Sequence, residues 1–95
     1  MKAKVEKKEG CITIHGKKKF LEEILNRLLK DKDFKLKLVN SQYREIYSRF
    51  YGMPFATLYY KPKKKEIRIY LHVNRRIGSF FREFDLLYEK IIPYL

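Results

Sequence analysis

A single cysteine in 95 residues excludes an intramolecular disulfide, and Cys11 alone cannot supply a thiolate cluster for zinc. Within an apolar, alternating stretch such a cysteine is a small packing residue rather than a nucleophile. Runs of the ~20 apolar residues needed to cross a bilayer are missing, and Met1-Lys2-Ala3-Lys4-Val5-Glu6 lacks the apolar stretch of a signal peptide. The expectation is a soluble, cytoplasmic protein with no membrane contact. Gln occurs once and Met twice, the usage of a thermophilic or AT-biased source in which thermolabile side chains are disfavoured. There is no phosphate-cradling glycine loop, and Asp and Glu do not recur at metal-ligand spacing. No cofactor and no metal are expected.

What the chain does have is charge. Twenty-three Lys and Arg face 11 Asp and Glu, a formal net charge of +12. In residues 77–95, Arg82 and Lys90 stand against Glu83, Asp85 and Glu89, a net of −1, so residues 1–76 carry +13. Such an excess repels itself and goes beyond what solubility requires, which implies an anionic partner. Hydrophobic residues still make up 45% of the chain, enough for one compact domain over residues 1–95 and too few for a second core. No internal repeat or flexible linker interrupts it.

Apolar and charged positions alternate up to Gly10 and again through Cys11-Ile12-Thr13-Ile14-His15, which predicts a β-hairpin closing near Glu9-Gly10. Lys17–Asp31 then places Phe20, Leu21, Ile24, Leu25, Leu28 and Leu29 on one stripe of a helix. Lys35–Val39 alternates as a strand. Tyr43, Ile46, Tyr47, Phe50 and Tyr51 fit a helical stripe, yet their aromatic and β-branched content favours an extended segment. Tyr51-Gly52-Met53-Pro54 is turn chemistry that reverses the chain. Phe55–Lys61 and Glu66–Val73 form a hairpin with a lysine-rich tip, in which position i pairs with 127 minus i. That register puts Ala56, Leu58 and Tyr60 on a face with Ile67, Ile69 and Leu71, and Phe55, Thr57, Tyr59 and Lys61 on the other with Glu66, Arg68, Tyr70 and His72. Ser79 suits an N-cap for a last helix to about Ile92, stopped by Pro93.

The predicted fold is α+β: an antiparallel sheet of four to five strands with two amphipathic helices on one face, in the order ββαβ(β)ββα. If all strands join one sheet, its other face collects Thr13, His15, Lys35, Lys37, Tyr59, Arg68, Tyr70 and His72. Aromatic rings stack on unpaired bases while adjacent cations neutralise phosphates, so this face suits single-stranded or looped nucleic acid. Lys17, Lys18 and Lys19, the run Lys61, Lys63, Lys64 and Lys65, and the pair Arg75 and Arg76 would border it as phosphate contacts without sequence-reading geometry. Lys17–Lys19 also oppose the dipole of the helix they begin, a local cost that suggests another use. The same residues have a plainer role open to them: tyrosines as cross-strand pairs, Arg68 over Tyr59 as a cation–π contact, and lysines as protection of a sheet edge.

Three functions follow. The first is a non-sequence-specific DNA- or RNA-binding protein. The second is a protein-interaction module or inhibitor of an acidic or nucleic-acid-handling partner, since exposed Tyr and Arg are also hot-spot types; a homodimer is a further possible assembly. The third is a metal-independent endoribonuclease using His72 as acid or base, Tyr70 or Tyr59 as positioning groups and Arg68 or Arg75 on the phosphate. The order of helix, strands ending in a basic hairpin, and closing helix resembles small RelE-type messenger-cleaving toxins, which would imply that last activity; no diagnostic motif matches and no residue is carried over.

Overall fold

The computed structural model describes residues 3–8, 10–49, 52–72 and 79–94. Six strands, β1 (Ala3–Lys8), β2 (Cys11–Gly16), β3 (Phe34–Leu38), β4 (Tyr43–Ser48), β5 (Pro54–Lys61) and β6 (Glu66–Leu71), form one sheet. The helices are α1 (Lys18–Leu29), between β2 and β3, and α2 (Ser79–Ile91), after β6. Strand order across the sheet is β1-β2-β6-β5-β4-β3, and all neighbours are antiparallel. The class is the expected α+β, but the sheet has six strands rather than four to five. The extra one is the ambiguous tyrosine-rich segment. It is extended because Tyr43, Glu45 and Tyr47 alternate with Arg44, Ile46 and Ser48 between two partners, and that pairing overrides the fit to a helical stripe. Among the described residues no helix is long and apolar enough to cross a membrane.

The two hairpins adopt the expected pairing. β1 and β2 meet with Lys8 opposite Cys11, and Gly10 takes φ +72, a left-handed conformation open to glycine at little cost. β5 and β6 pair from Ala56↔Leu71 to Lys61↔Glu66, each pair summing to 127. A short 3₁₀ turn, Pro62–Lys64, joins them, followed by Lys65 at φ 55.

Ile12, Ile14, Ile46, Leu58, Ile67 and Ile69 are buried on one sheet face beneath Leu21, Ile24 and Leu28 of α1 and Phe84, Leu87 and Ile91 of α2. Each fully buried aliphatic side chain contributes on the order of 1.5–3 kcal/mol. Polar ties hold the helices to this face. Lys7 bonds Asp85 at 2.6 Å and lies over the Tyr88 ring, and Lys90 bonds Asp33 at 2.7 Å.

Phe55 departs from the expected face. Ile46 pairs with Ala56 but Tyr47 with Pro54, so Phe55 is the extra residue of a β-bulge. The bulge turns its ring into the core, fully buried and 5.6 Å from Phe34. α2 begins at Ser79 itself rather than after it; the Ser79 side chain expected as N-cap, like Val73, Arg75 and Arg76, lies outside what the structure describes.

Candidate nucleic-acid interface

Alternation along the strands fixes which residues reach the helix-free face, and the register lines them up across it. One row runs Glu6, Thr13, Arg68, Tyr59, Tyr43. The next runs Lys8, Cys11, Tyr70, Thr57, Glu45, Lys37. Lys35 is opposite Tyr47, and His15 is opposite Glu66, which faces Lys61. Thr13, His15, Lys35, Lys37, Tyr59, Arg68 and Tyr70 therefore occupy one surface, as expected, with His72 just beyond the end of β6.

Three tyrosines form its centre. Tyr43 and Tyr59 stack with centroids 5.6 Å apart and planes at 23°, and Tyr70 meets Tyr59 edge-on at 5.6 Å and 77°. Tyr59 and Tyr70 are each a little over one-third exposed. Mutual ring contacts hold the platform in place, so little side-chain freedom remains to be lost when a flat ligand stacks on it.

Arg68 is committed within the face. Its Nε lies 2.8 Å from Glu66 Oε1, and its Nη1 donates to the Tyr70 hydroxyl at 3.4 Å. The Tyr70 hydrogen bond first, then Glu66, hold the guanidinium charged and raise its pKa further. Glu66 is buried despite facing away from the helices, with His15 Nδ1 3.8 Å away on its other side. Arg68 thus acts as a brace that orients Tyr70.

Thr57, Tyr59, Lys61, Tyr70 and His72 line an open hollow of about 490 Å³ along β5 and β6, within the range of small-ligand clefts. His72 closes one end. Its Nδ1 lies 3.1 Å from the Pro54 carbonyl oxygen, which only accepts, so Nδ1 carries a proton; Nε2 is engaged by the Thr57 hydroxyl. Both ring nitrogens are occupied. Of the residues considered for acid–base chemistry, Tyr70 touches Arg68 and shares the hollow with His72, whereas the His72 backbone lies four residues beyond Arg68, about 13 Å at strand spacing. Arg75 is outside the described residues, and among those described no group of His, Cys, Asp and Glu is placed to hold a metal ion.

The lysine clusters converge. Gly16 N donates to Lys65 O at 3.0 Å, which sets the start of α1 beside the β5–β6 tip. Lys17, Lys18 and Lys19 thereby join Lys63, Lys64 and Lys65 as an exposed rim at the end of the hollow marked by Lys61. Lys17 caps α1 without a side-chain hydrogen bond, and no acidic residue occupies the first turn. Among the described residues none of these seven lysines, nor Lys35 or Lys37, has a carboxylate within ion-pair distance. Lys65 also sits in the left-handed region, which costs a side-chain-bearing residue about 1–2 kcal/mol and favours Gly or Asn.

Sequence reasoning missed Tyr43, and it placed Thr57 and Glu66 on this face without giving either a role. The alternation of Tyr43, Glu45 and Tyr47 was the available signal for the first, and the Glu66-x-Arg68 spacing on one strand face for the last. No known protein family matches the chain, and no curated protein or solved structure is significantly similar to it.

Proposed function

We propose that the chain binds single-stranded or looped nucleic acid, without sequence specificity, on the helix-free face of its sheet. The observation that carries this reading is the tyrosine cluster Tyr43, Tyr59 and Tyr70, set in a face with Lys35, Lys37 and Lys61, none of which has a carboxylate within ion-pair distance among the described residues. Bases stack on the rings at roughly 1–3 kcal/mol each, whatever their identity, because every base has a π-face. Lys35, Lys37, Lys61 and the rim neutralise phosphates and raise the encounter rate. With about five phosphates contacted, log K against log salt for a single strand falls with a slope near −3.5. A salt-insensitive interaction, or none with either DNA or RNA oligonucleotides, contradicts the proposal. Recovery of a specific protein partner after nuclease treatment, with no oligonucleotide shift, would favour the interaction-module alternative.

A further inference from the structure

We infer, building on the reading of the open face as a base-stacking platform, that the preferred ligand is a junction: a duplex seated on the lysine rim whose single-stranded tail runs along the hollow. The rim and the face differ in what they can read. Lys17, Lys18, Lys19, Lys63, Lys64 and Lys65 are exposed and interleaved with no aromatic residue, so they offer charge alone. The hollow offers Tyr59 and Tyr70, whose rings stack only on bases released from pairing. The two surfaces are continuous, because Lys61 lines the hollow and leads directly into the rim's hairpin tip.

Geometry favours two strands over one at the rim. Lys17–Lys19 open α1, the helix packed on the covered face, while Lys63–Lys65 cap β5 and β6. The rim therefore turns around the end of the sheet, away from the open face. One extended strand lying on the tyrosines reaches Lys61 but does not follow both segments. A duplex, with a charge every ~1.7 Å along its axis, presents phosphates to both segments at once while its tail enters the hollow. The left-handed Lys65 fits this use, since glycine would satisfy the turn and lysine adds only charge.

The test compares a labelled pyrimidine single strand, a blunt duplex, and that duplex carrying the same strand as a tail, in RNA and DNA versions. Linking two weak contacts raises effective concentration, so the tailed duplex is expected to bind at least about tenfold tighter than either part. Replacing Lys17, Lys18, Lys19, Lys63, Lys64 and Lys65 by Gln removes that advantage, lowering tailed-duplex affinity at least about tenfold more than it lowers single-strand affinity. Tyr59→Ala with Tyr70→Ala does the reverse, weakening the single strand and sparing the blunt duplex. Thermal melts of the free variants establish that each is folded. If the tailed duplex binds no tighter than the single strand while the single strand still binds through the tyrosines, the junction inference fails and the stacking reading survives. If no single strand binds, both fail together.

Discussion

The cations that tie the helices to the sheet and the lysines of the tyrosine face and rim have different company, although on the open face Arg68 and Lys4 are themselves paired, with Glu66 and Glu6. On the covered side Lys7 reaches Asp85, Lys90 reaches Asp31 and Asp33, and Arg44 lies against the Tyr60 ring. On the open side and around the rim, Lys17–Lys19, Lys35, Lys37, Lys61 and Lys63–Lys65 have no carboxylate within ion-pair distance among the described residues. Charges that tie elements together are paired within the chain. Charges left unpaired in such number raise self-repulsion without holding anything, which the proposed anionic ligand would relieve.

The largest test of this division uses adjacent residues on β5. Leu58 is fully buried and Tyr59 faces outward. Leu58→Ala should cost about 2–5 kcal/mol in urea unfolding, whereas Tyr59→Ala should cost under about 1 kcal/mol, the scale of a cross-strand pair. Comparable losses would mean that the tyrosine platform is part of the core and that the two faces are not divided as described.

The next effect is on binding. Tyr59→Ala or Tyr70→Ala should weaken single-strand affinity about five- to 150-fold, the equivalent of one lost stacking contact, with little change in salt slope. Arg68→Ala should give a weaker version of the Tyr70 effect, because the guanidinium braces that ring through its hydroxyl. A change in salt slope for Arg68→Ala would instead identify it as a phosphate contact.

On the covered side the predicted effect is on pH dependence. The Lys90 hydrogen bond, then its charge, holds the Asp33 carboxyl below its ordinary value of 3.8. A carboxyl depressed in the folded state stabilises it above its unfolded pKa, and the contribution disappears as pH falls through the lower folded value. Lys90 is raised above 10.5, chiefly by the same hydrogen bond, so its contribution is complete below that pH and fades as pH rises through the folded value. Lys90→Gln should therefore reduce stability between these limits and flatten the loss of stability below about pH 4, measured by urea midpoints across pH. An unchanged acid limb would show that this pair does not tie α2 to the α1–β3 connection.

The smallest stability effects belong to the rim. Lys64→Gln should change unfolding free energy by no more than about 0.5 kcal/mol, as at other exposed sites, while reducing the salt slope for duplex by about 0.9 if its phosphate contact is lost. Marked destabilisation would indicate a structural role for the tip.

Much of this architecture is legible in the chain because it depends on local pattern. The stripe from Leu21 to Leu28 and the alternation from Ala56 to Leu71 each name an element and the face it buries, and the hairpin register follows from the short tip between its strands. What is hidden is what depends on a partner distant in sequence. Phe55 changes face only because β4 slips by one residue against β5, and nothing near Phe55 encodes that slip. Tyr43 joins the platform only once β4 pairs with β5. The meeting of Lys17–Lys19 with Lys63–Lys65 rests on β2 pairing with β6, which places residues more than forty positions apart at one end of the sheet.

The central claim is that bases lie on the tyrosine face, and chemical-shift mapping of isotope-labelled protein titrated with a single-stranded oligonucleotide tests it most directly. The account predicts the largest shifts at Thr13, Tyr43, Thr57, Tyr59, Arg68 and Tyr70, with Leu21, Ile24, Phe84 and Leu87 nearly unmoved. Shifts confined to the lysine rim or to the helices, with the tyrosine row silent, would contradict it.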